Sequence, residues 1–365
     1  MPLTNHDSPA SLRRVALDPD VERLLSQQAV VGIGVSGGKD SQAVALAVTR
    51  HLDAIGHTGP RVLVHADLGM VEWNDSLPTC ERLASHLGLE LIVVRREAGG
   101  MLERWESRWE ANVRRYASLE RIRLVLPWST PKMRFCTSEL KTVPIASALK
   151  KRWKKGPLVA VDGIRAQESR ARAKKPVSEH QKRLTRASGE GREWHAILDW
   201  KIEDVFAEIA GAGLQLHEAY RVHGSTRVSC AFCIMSSGHD LAAAAAAGEH
   251  ADLYRRMVEL ELRSTFAFQG ARWLADVAPD LLTAEQRRRV PDAKERARQR
   301  KDAESRLPKD LLLDENGRPA RPVTADDAAV LAGVRADVCR IVGIEPSFCD
   351  AGSILAHFSK LTCKK

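Results

Sequence analysis

The sequence has no uninterrupted apolar run near the roughly 18 residues that a membrane-spanning helix needs. Its longest greasy tract, Leu241 to Ala247, is short and mostly alanine. Met1 to Arg14 lack the apolar core of a secretory signal. A cytoplasmic protein with no membrane association is the expectation that follows. An even set of cysteines is also missing. The seven present (Cys80, Cys136, Cys230, Cys233, Cys339, Cys349 and Cys363) are an odd number with no export signal, which argues against a disulfide framework. Nor is the chain polar enough to be disordered, since 44% of its residues are hydrophobic and 28% charged. At about 150 residues per domain, 365 residues suggest two domains or one large domain with an appendage, ample for a sizeable core. No internal repeat is visible.

What is present is a surplus of positive charge. Lys and Arg total 56 against 47 Asp and Glu, a net +9. That balance permits a polyanionic partner, nucleotide or nucleic acid, without requiring one. Residues 29–35, 61–67, 90–95 and 158–162 are short β-branched runs of strand length. Helical stretches lie between and after them, at 41–55, 75–88, 102–122 and 138–153. This alternation predicts a doubly wound α/β fold around a mostly parallel sheet. Past Asp162 the pattern changes. Residues 165–192 read as a basic loop, 201–212 as a helix, and 214–237 as turn-rich sequence carrying a cysteine pair. Helices are expected at 239–264, 283–305 and 324–342. The expected division is an α/β domain over 1–230 and a cysteine-pair segment with a helical region over 231–365. The tract 284–301 is charged all round and reads as a solvated helix face rather than a nucleic-acid arm.

The most informative element is Ser36-Gly37-Gly38-Lys39-Asp40-Ser41, which follows a predicted strand and opens a predicted helix. Such a turn aims backbone N–H groups and the positive helix end at one point. Gly37 and Gly38 let an anion approach the backbone, Ser36 and Ser41 add hydroxyls, and Lys39 adds a charge. The sum is a nest for a phosphate or pyrophosphate group. It is neither a Walker A loop nor GxGxxG, because Gly32 and Gly34 precede the turn, within the strand.

In this setting the loop resembles the PP-loop of the ATP pyrophosphatase superfamily. Five further segments are similar to phosphoadenosine-phosphosulfate (PAPS) reductase-like proteins, in the right order within 29–262. They are His65-Ala66-Asp67-Leu68-Gly69 at a strand end, Arg134 to Lys141 around Cys136, Gly163 to Arg170, Trp194 to Trp200 with Ala196 where proline is usual, and His217 to Ile234. Arg170 and Arg172 both stand as the final arginine of the third of these. The resemblance implies an adenine nucleotide alpha hydrolase-like fold and cleavage of Mg·ATP to AMP and pyrophosphate, with AMP passed to an acceptor. It implies nucleotide contacts at Ser36, Gly37, Gly38, Lys39, Asp40, Ser41, Asp67, Gly163 and Arg165. Lys39 would hold phosphates, Asp40 would help hold Mg²⁺, and Arg165 and Arg170 would grip the acceptor's phosphate or sulfate.

Cys230 and Cys233 form C-x2-C, a spacing open to zinc, an iron–sulfur cluster or a redox disulfide. The resemblance implies that Cys136 and this pair jointly hold a cluster of the 4Fe-4S type, with zinc the lesser reading. Cys349 or Cys339 would be the fourth ligand, or an open iron site would remain to carry sulfide. Cys80 sits at helical spacing among apolar residues and reads as core; Cys363 reads as exposed. Two departures bear on the reaction. Thr137 follows Cys136 where assimilatory APS reductases have a second cysteine. The E-C-G-x-H motif of sulfonucleotide reductases is also absent. The pattern is therefore similar to the ATP pyrophosphatase of DNA phosphorothioation systems, and to reductase-like accessory proteins of mobile elements and some CRISPR loci. The expected reaction is adenylation for sulfur transfer to a nucleotide or nucleic acid, with a cysteine desulfurase as sulfur donor. PAPS or APS reduction, with Cys363 as nucleophile, and a non-catalytic nucleotide-binding subunit of a nucleic-acid complex are the alternatives. Residues 263–365 resemble nothing interpretable.

Overall fold

The computed structural model describes residues 13–314 and 316–362. The chain divides into two compact units, residues 1–100 with 135–233, and residues 101–134 with 234–365. In chain order the main elements are α1 (Pro19–Ser26), β1 (Val30–Val35), α2 (Lys39–Ala54), β2 (Arg61–Asp67), α3 (Ser76–Leu87), β3 (Leu91–Arg95), α4 (Met101–Ala117) and α5 (Val143–Arg152). There follow β4 (Leu158–Val161), β5 (Ser178–His180), β6 (Gly191–Trp194), α6 (Ile202–Gly211), α7 (Gly238–Ala246), α8 (Ala251–Ser264), α9 (Ala284–Ser305), α10 (Ala325–Val342) and α11 (Ala351–Thr362).

The first unit is the doubly wound α/β layer the sequence predicts. Its six strands run in the order β3-β2-β1-β4-β6-β5, all parallel except β5. Side chains of β1 alternate between two cores. Val31, Ile33 and Val35 face one core with α2 and α3 residues such as Val44, Val48 and Leu83; Val30 faces the other with Leu149 of α5. Gly32 serves that packing. A Cβ there would lie 2.8 Å from Leu149 Cδ1, so the strand glycine lets α5 come close. Strand order reverses direction between β1 and β4, and such a switch point opens a ligand crevice beyond the strands' carboxyl ends. Ser36 and Asp162 stand there.

Three sequence expectations need correction. The basic stretch 165–192 is not only a loop, since it supplies β5 and the start of β6 at the sheet edge. The single helix expected over 239–264 is two, α7 and α8, with Gly248 between them at φ 73°. The helix expected over 102–122 is shorter and belongs to the second unit rather than to the sheet's cover. Cys80 is fully buried, as its spacing predicts.

The second unit is helical. Trp105, Trp128 and Phe268 meet edge-to-face, with ring centres 5.1–6.2 Å apart. Buried Glu261 accepts N–H bonds from Phe268, Leu274 and Ala275 at 2.7, 2.8 and 3.0 Å, tying the 265–275 turn to α8. Among the described residues no helix is long and apolar enough to cross a membrane.

Candidate nucleotide and cysteine site

The turn after β1 is closed by its own side chains. The Ser41 hydroxyl donates to Gly38 O (2.8 Å) and accepts from Ser36 N–H (3.2 Å). Gln42 Nε2 donates to Gly37 O (3.1 Å). Gly38 is the N-cap residue of α2, so the first N–H groups of that helix point out of the turn. Gly37 has φ 74°, and a Cβ there would meet Ser76 O and His217 Cδ2 at 3.0 Å. Both its backbone conformation and its surroundings therefore call for glycine.

The charges follow from this packing. Lys39 is buried, its Nζ 3.2 Å from Asp40 Oδ2 and 5.4 Å from the Tyr220 ring centre. Arg165, 4% exposed, donates from Nε to Asp40 Oδ1 at 2.6 Å. Gly163 allows this approach, since a Cβ on it would stand 2.7 Å from Asp40 O. The structure thus gathers Ser36 to Ser41, Gly163 and Arg165 into one place, with Asp40 shared between two cations. Asp67, expected to contact the nucleotide, is held at the end of β2. It accepts from Gly69 N–H (2.7 Å) and from Arg95 Nε and Nη2 (2.9 and 2.5 Å). Arg170 is exposed with no hydrogen bond or ion pair among the described residues, whereas Arg172 pairs with Glu168.

Two buried histidines brace the site, and their partners define their charge. His65 faces an acceptor with each ring nitrogen, Val35 O at 3.1 Å and Glu72 Oε2 at 3.0 Å. Two acceptors require two N–H groups, hence an imidazolium. Burial opposes that charge, but the Cys80 thiol and the Glu72 carboxylate outweigh it and raise the pKa to about 10. His217 is the opposite case. Its Nδ1 accepts from Ala219 N–H (2.9 Å) and its Nε2 faces Ser76 Oγ (3.3 Å), an arrangement for the neutral ring. Burial, with Arg82, Arg221 and His223 adding to it against Asp75, lowers its pKa to about 4. At the end of β4, Asp162 accepts from Ile164 N–H (3.1 Å) and bonds His195 Nδ1 (2.8 Å).

Tyr220 is the residue whose role sequence reasoning missed. It is a strut. Its hydroxyl oxygen accepts from Lys39 N–H (3.3 Å) and Val228 N–H (3.1 Å), joining the phosphate loop to the segment that carries Cys230 and Cys233. Its place in turn-rich sequence, outside any apolar period, was the available signal. The cysteine turn has a second tether, Ala231 N–H to Val71 O at 2.8 Å. Cys136, Cys230 and Cys233 are in no disulfide, each half-buried. Burial pushes Cys230 up to about 12, with the nearby Cys233 and Cys136 adding to the effect and Lys141 opposing it. The three thiols therefore share one electrostatic neighbourhood. Among the described residues, however, no three metal-binding side chains stand in coordinating geometry. Cys349 and Cys339 lie in the second unit, close enough for Cys349 to help raise the Cys339 pKa behind burial. Cys363 lies outside the described residues.

The chain matches the phosphoadenosine phosphosulfate reductase domain family over residues 31–236, more than half its length, and belongs to that family. No curated protein matches it. Two solved structures are similar in part. One is a PAPS reductase from Candida auris in complex with phosphate, at 13% identity over 60% of this chain and 98% of that one, TM-score 0.35. The other is an FMN adenylyltransferase from Candida glabrata in complex with FAD and inorganic pyrophosphate. It is 13% identical over 56% of this chain and 55% of that one, TM-score 0.34.

Proposed function

We propose that the protein binds Mg·ATP at the 36–41 loop and cleaves it between the α and β phosphates, passing AMP to an acceptor. The observation that carries this reading is the loop, closed on itself by Ser41 and Gln42, with the buried cations Lys39 and Arg165 held at it through Asp40. The amides opening α2 would cradle the pyrophosphate. Lys39 would exchange its bond to Asp40 for the β and γ phosphates, and Arg165 would face the charge that develops at the α-phosphorus. The acceptor's oxygen bonds to the α-phosphorus as pyrophosphate leaves. A sulfur nucleophile then displaces AMP, which carries that oxygen away. Arg165 and exposed Arg170 would take the acceptor's own phosphate, as in a nucleotide or nucleic acid; Gly163 holds the close contact that keeps Arg165 in place.

Cys136, Cys230 and Cys233 are the residues that would hold an iron–sulfur cluster, with zinc the other metal their donor type suits. Their shared neighbourhood supports this, although coordinating geometry would require them to draw together. When bound, such a cluster supplies thiolate-ligated iron able to carry an electron or a sulfide. Iron and acid-labile sulfide in anaerobically purified protein, both lost in Cys136→Ser, are the expected result; zinc without sulfide would overturn the cluster.

The nucleotide reading is tested by parallel calorimetry with Mg·ATP and with PAPS, followed by an AMP assay. Tight ATP binding with weak PAPS binding is expected, as is loss of AMP formation in Lys39→Ala. A preference for PAPS, or a Lys39→Ala variant that still makes AMP, would overturn it in favour of sulfonucleotide reduction or a different site.

A further inference from the structure

We propose that a basic ridge on the first unit, at the end of the sheet opposite the phosphate loop, docks the phosphodiester backbone of a nucleic acid. The ridge joins two segments distant in sequence. One is the end of α5 and the turn after it, with Lys151, Lys154 and Lys155; the other is the turn after β5, with Lys182 and Arg183. All five are exposed, and none has a carboxylate partner among the described residues. Acids around them are engaged elsewhere: Glu179, just before Lys182, with Lys175, Glu90 with Arg152, and Glu190 with Arg23 and Arg192.

Lysines at a helix C-terminus have an ordinary explanation, because they offset the exposed carbonyls and the negative helix end. Here other groups have taken that work. Arg186 donates to the carbonyls of Lys150, Lys155 and Gly156 at 3.4, 3.0 and 3.1 Å and also to Trp153 O. Ser188 Oγ donates to Lys154 O at 3.2 Å. These bonds free the ammonium groups of local duty. They also lock the two segments together, as does the Gly156 N–H bond to Ser188 O at 3.2 Å. Buried Leu184 packs beside Leu149 and Leu158 beneath them. The result is a preformed cationic surface rather than loose side chains on a mobile loop.

Contrast with α9 sharpens the point. That helix is the most arginine-rich stretch of the sequence, yet Arg289, Lys294, Arg296, Arg298 and Arg300 each pair with a carboxylate. Five of its eight basic residues are thus paired, whereas, among the described residues, none of the five ridge cations is. Uncompensated cations on a rigid surface gain most from releasing the counterions of a polyphosphate chain. Nucleic acid is favoured over an anionic bilayer because no large apolar side chain stands exposed within either ridge segment to enter a membrane. This surface stands apart from the phosphate loop and does not depend on the reading of that loop.

The test uses the full chain and its Lys151→Gln, Lys154→Gln, Lys155→Gln, Arg183→Gln variant. Binding is followed by fluorescence anisotropy with a labelled mixed-sequence DNA duplex and with RNA of the same sequence, from about 50 to about 200 mM salt. The wild type should bind DNA or RNA with steep salt dependence. The variant should bind about tenfold or more weakly at the low-salt end, with the log–log slope shallower by about three to four for duplex DNA. Its melting temperature and its response to Mg·ATP and PAPS in calorimetry should equal those of the wild type, which separates failure of the ridge from failure of the loop. A variant that keeps wild-type affinity and slope overturns the proposal. So does a wild type that binds phosphatidylserine vesicles but neither nucleic acid.

Discussion

Gly163→Ala should uncouple the candidate site while leaving every charged group in the chain. Gly163 leaves β4 and passes directly over the first turn of α2. An alanine Cβ would lie 2.7 Å from Asp40 O and 2.8 Å from Asp40 C, both backbone atoms. Optimal non-bonded separations are about 3.5–4.0 Å, so either the exit from β4 or the start of α2 must retreat. Neither is soft, because β4 pairs with β1 and β6 and the start of α2 is the phosphate loop. Overpacking of this kind costs about 1–3 kcal/mol. The retreat also stretches the 2.6 Å bond from Arg165 Nε to Asp40 Oδ1, a charge-assisted bond whose loss costs about 1.5–3 kcal/mol. The sum, roughly 2.5–6 kcal/mol, corresponds to a melting temperature lower by about 5–24 °C for a unit of this size.

Calorimetric melting with nucleotide titration is the assay, and affinity for the preferred nucleotide should fall more than about tenfold, since a displacement worth 1.4 kcal/mol already reaches that factor. Gly333→Ala is the control. Gly333 sits in α10 with nothing within 4 Å of an added Cβ, so alanine there should stabilise by about 0.5–1 kcal/mol. A Gly163→Ala protein that melts and binds nucleotide like the wild type would refute the claim that close backbone approach positions Arg165.

Two other predictions concern the braces of the site. Tyr220→Phe removes the oxygen that accepts from Lys39 N–H and Val228 N–H. It should cost about 1–3 kcal/mol and quicken the reaction of Cys230 and Cys233 with a thiol reagent, because Val228 lies two residues before Cys230; unchanged melting and thiol kinetics would show the strut to be idle. Stability should also peak near neutral pH. His65, raised from 6.5 to about 10, contributes stability that is full below 6.5 and is lost as pH rises toward 10. His217, lowered from 6.5 to about 4, contributes stability that is full above 6.5 and is lost as pH falls toward 4. The His65 share amounts to a few kcal/mol, so His65→Gln should flatten the alkaline limb of a melting-temperature profile; parallel alkaline limbs would refute the cationic ring.

The parts of the fold legible in the sequence are those whose neighbours lie close along the chain. β1 to β4 show as apolar runs, and the phosphate loop shows because a strand run ends in Ser36-Gly37-Gly38. β5 and β6 stay hidden because they are short and carry charged residues among the few apolar ones. Ser178–His180 is three residues long, and β6 carries Arg192 and Glu193, with Arg192 pairing to Asp20 of α1. The destination of α4 is equally unreadable, since Trp105 and Trp109 make an apolar face that suits a sheet or a helix bundle alike. Within the site, Gly37 announces itself by its turn, but Gly163 is required only because Asp40 passes 123 residues away in sequence. His65 belongs to the motif yet points inward, to Val35 O and Glu72, a direction no spacing rule conveys.

The charge balance of the assembled loop argues for an anionic ligand independently of any motif. Lys39 and Arg165 are both buried beside one carboxylate, Asp40, and α2 begins there with its positive end. Two cations and a helix N-terminus against one anion leave the pocket under-neutralised. Burying unbalanced charge is costly, and water offsets it poorly where Lys39 and Arg165 are less than a tenth exposed. An incoming phosphate corrects the imbalance and can do so without breaking the bond between Arg165 and Asp40, because Lys39, at the longer 3.2 Å distance, is the partner more easily given up. On this argument Asp40 would keep the two cations it pairs with in place before a ligand arrives, so that a carboxylate would preorganise the loop for an anion.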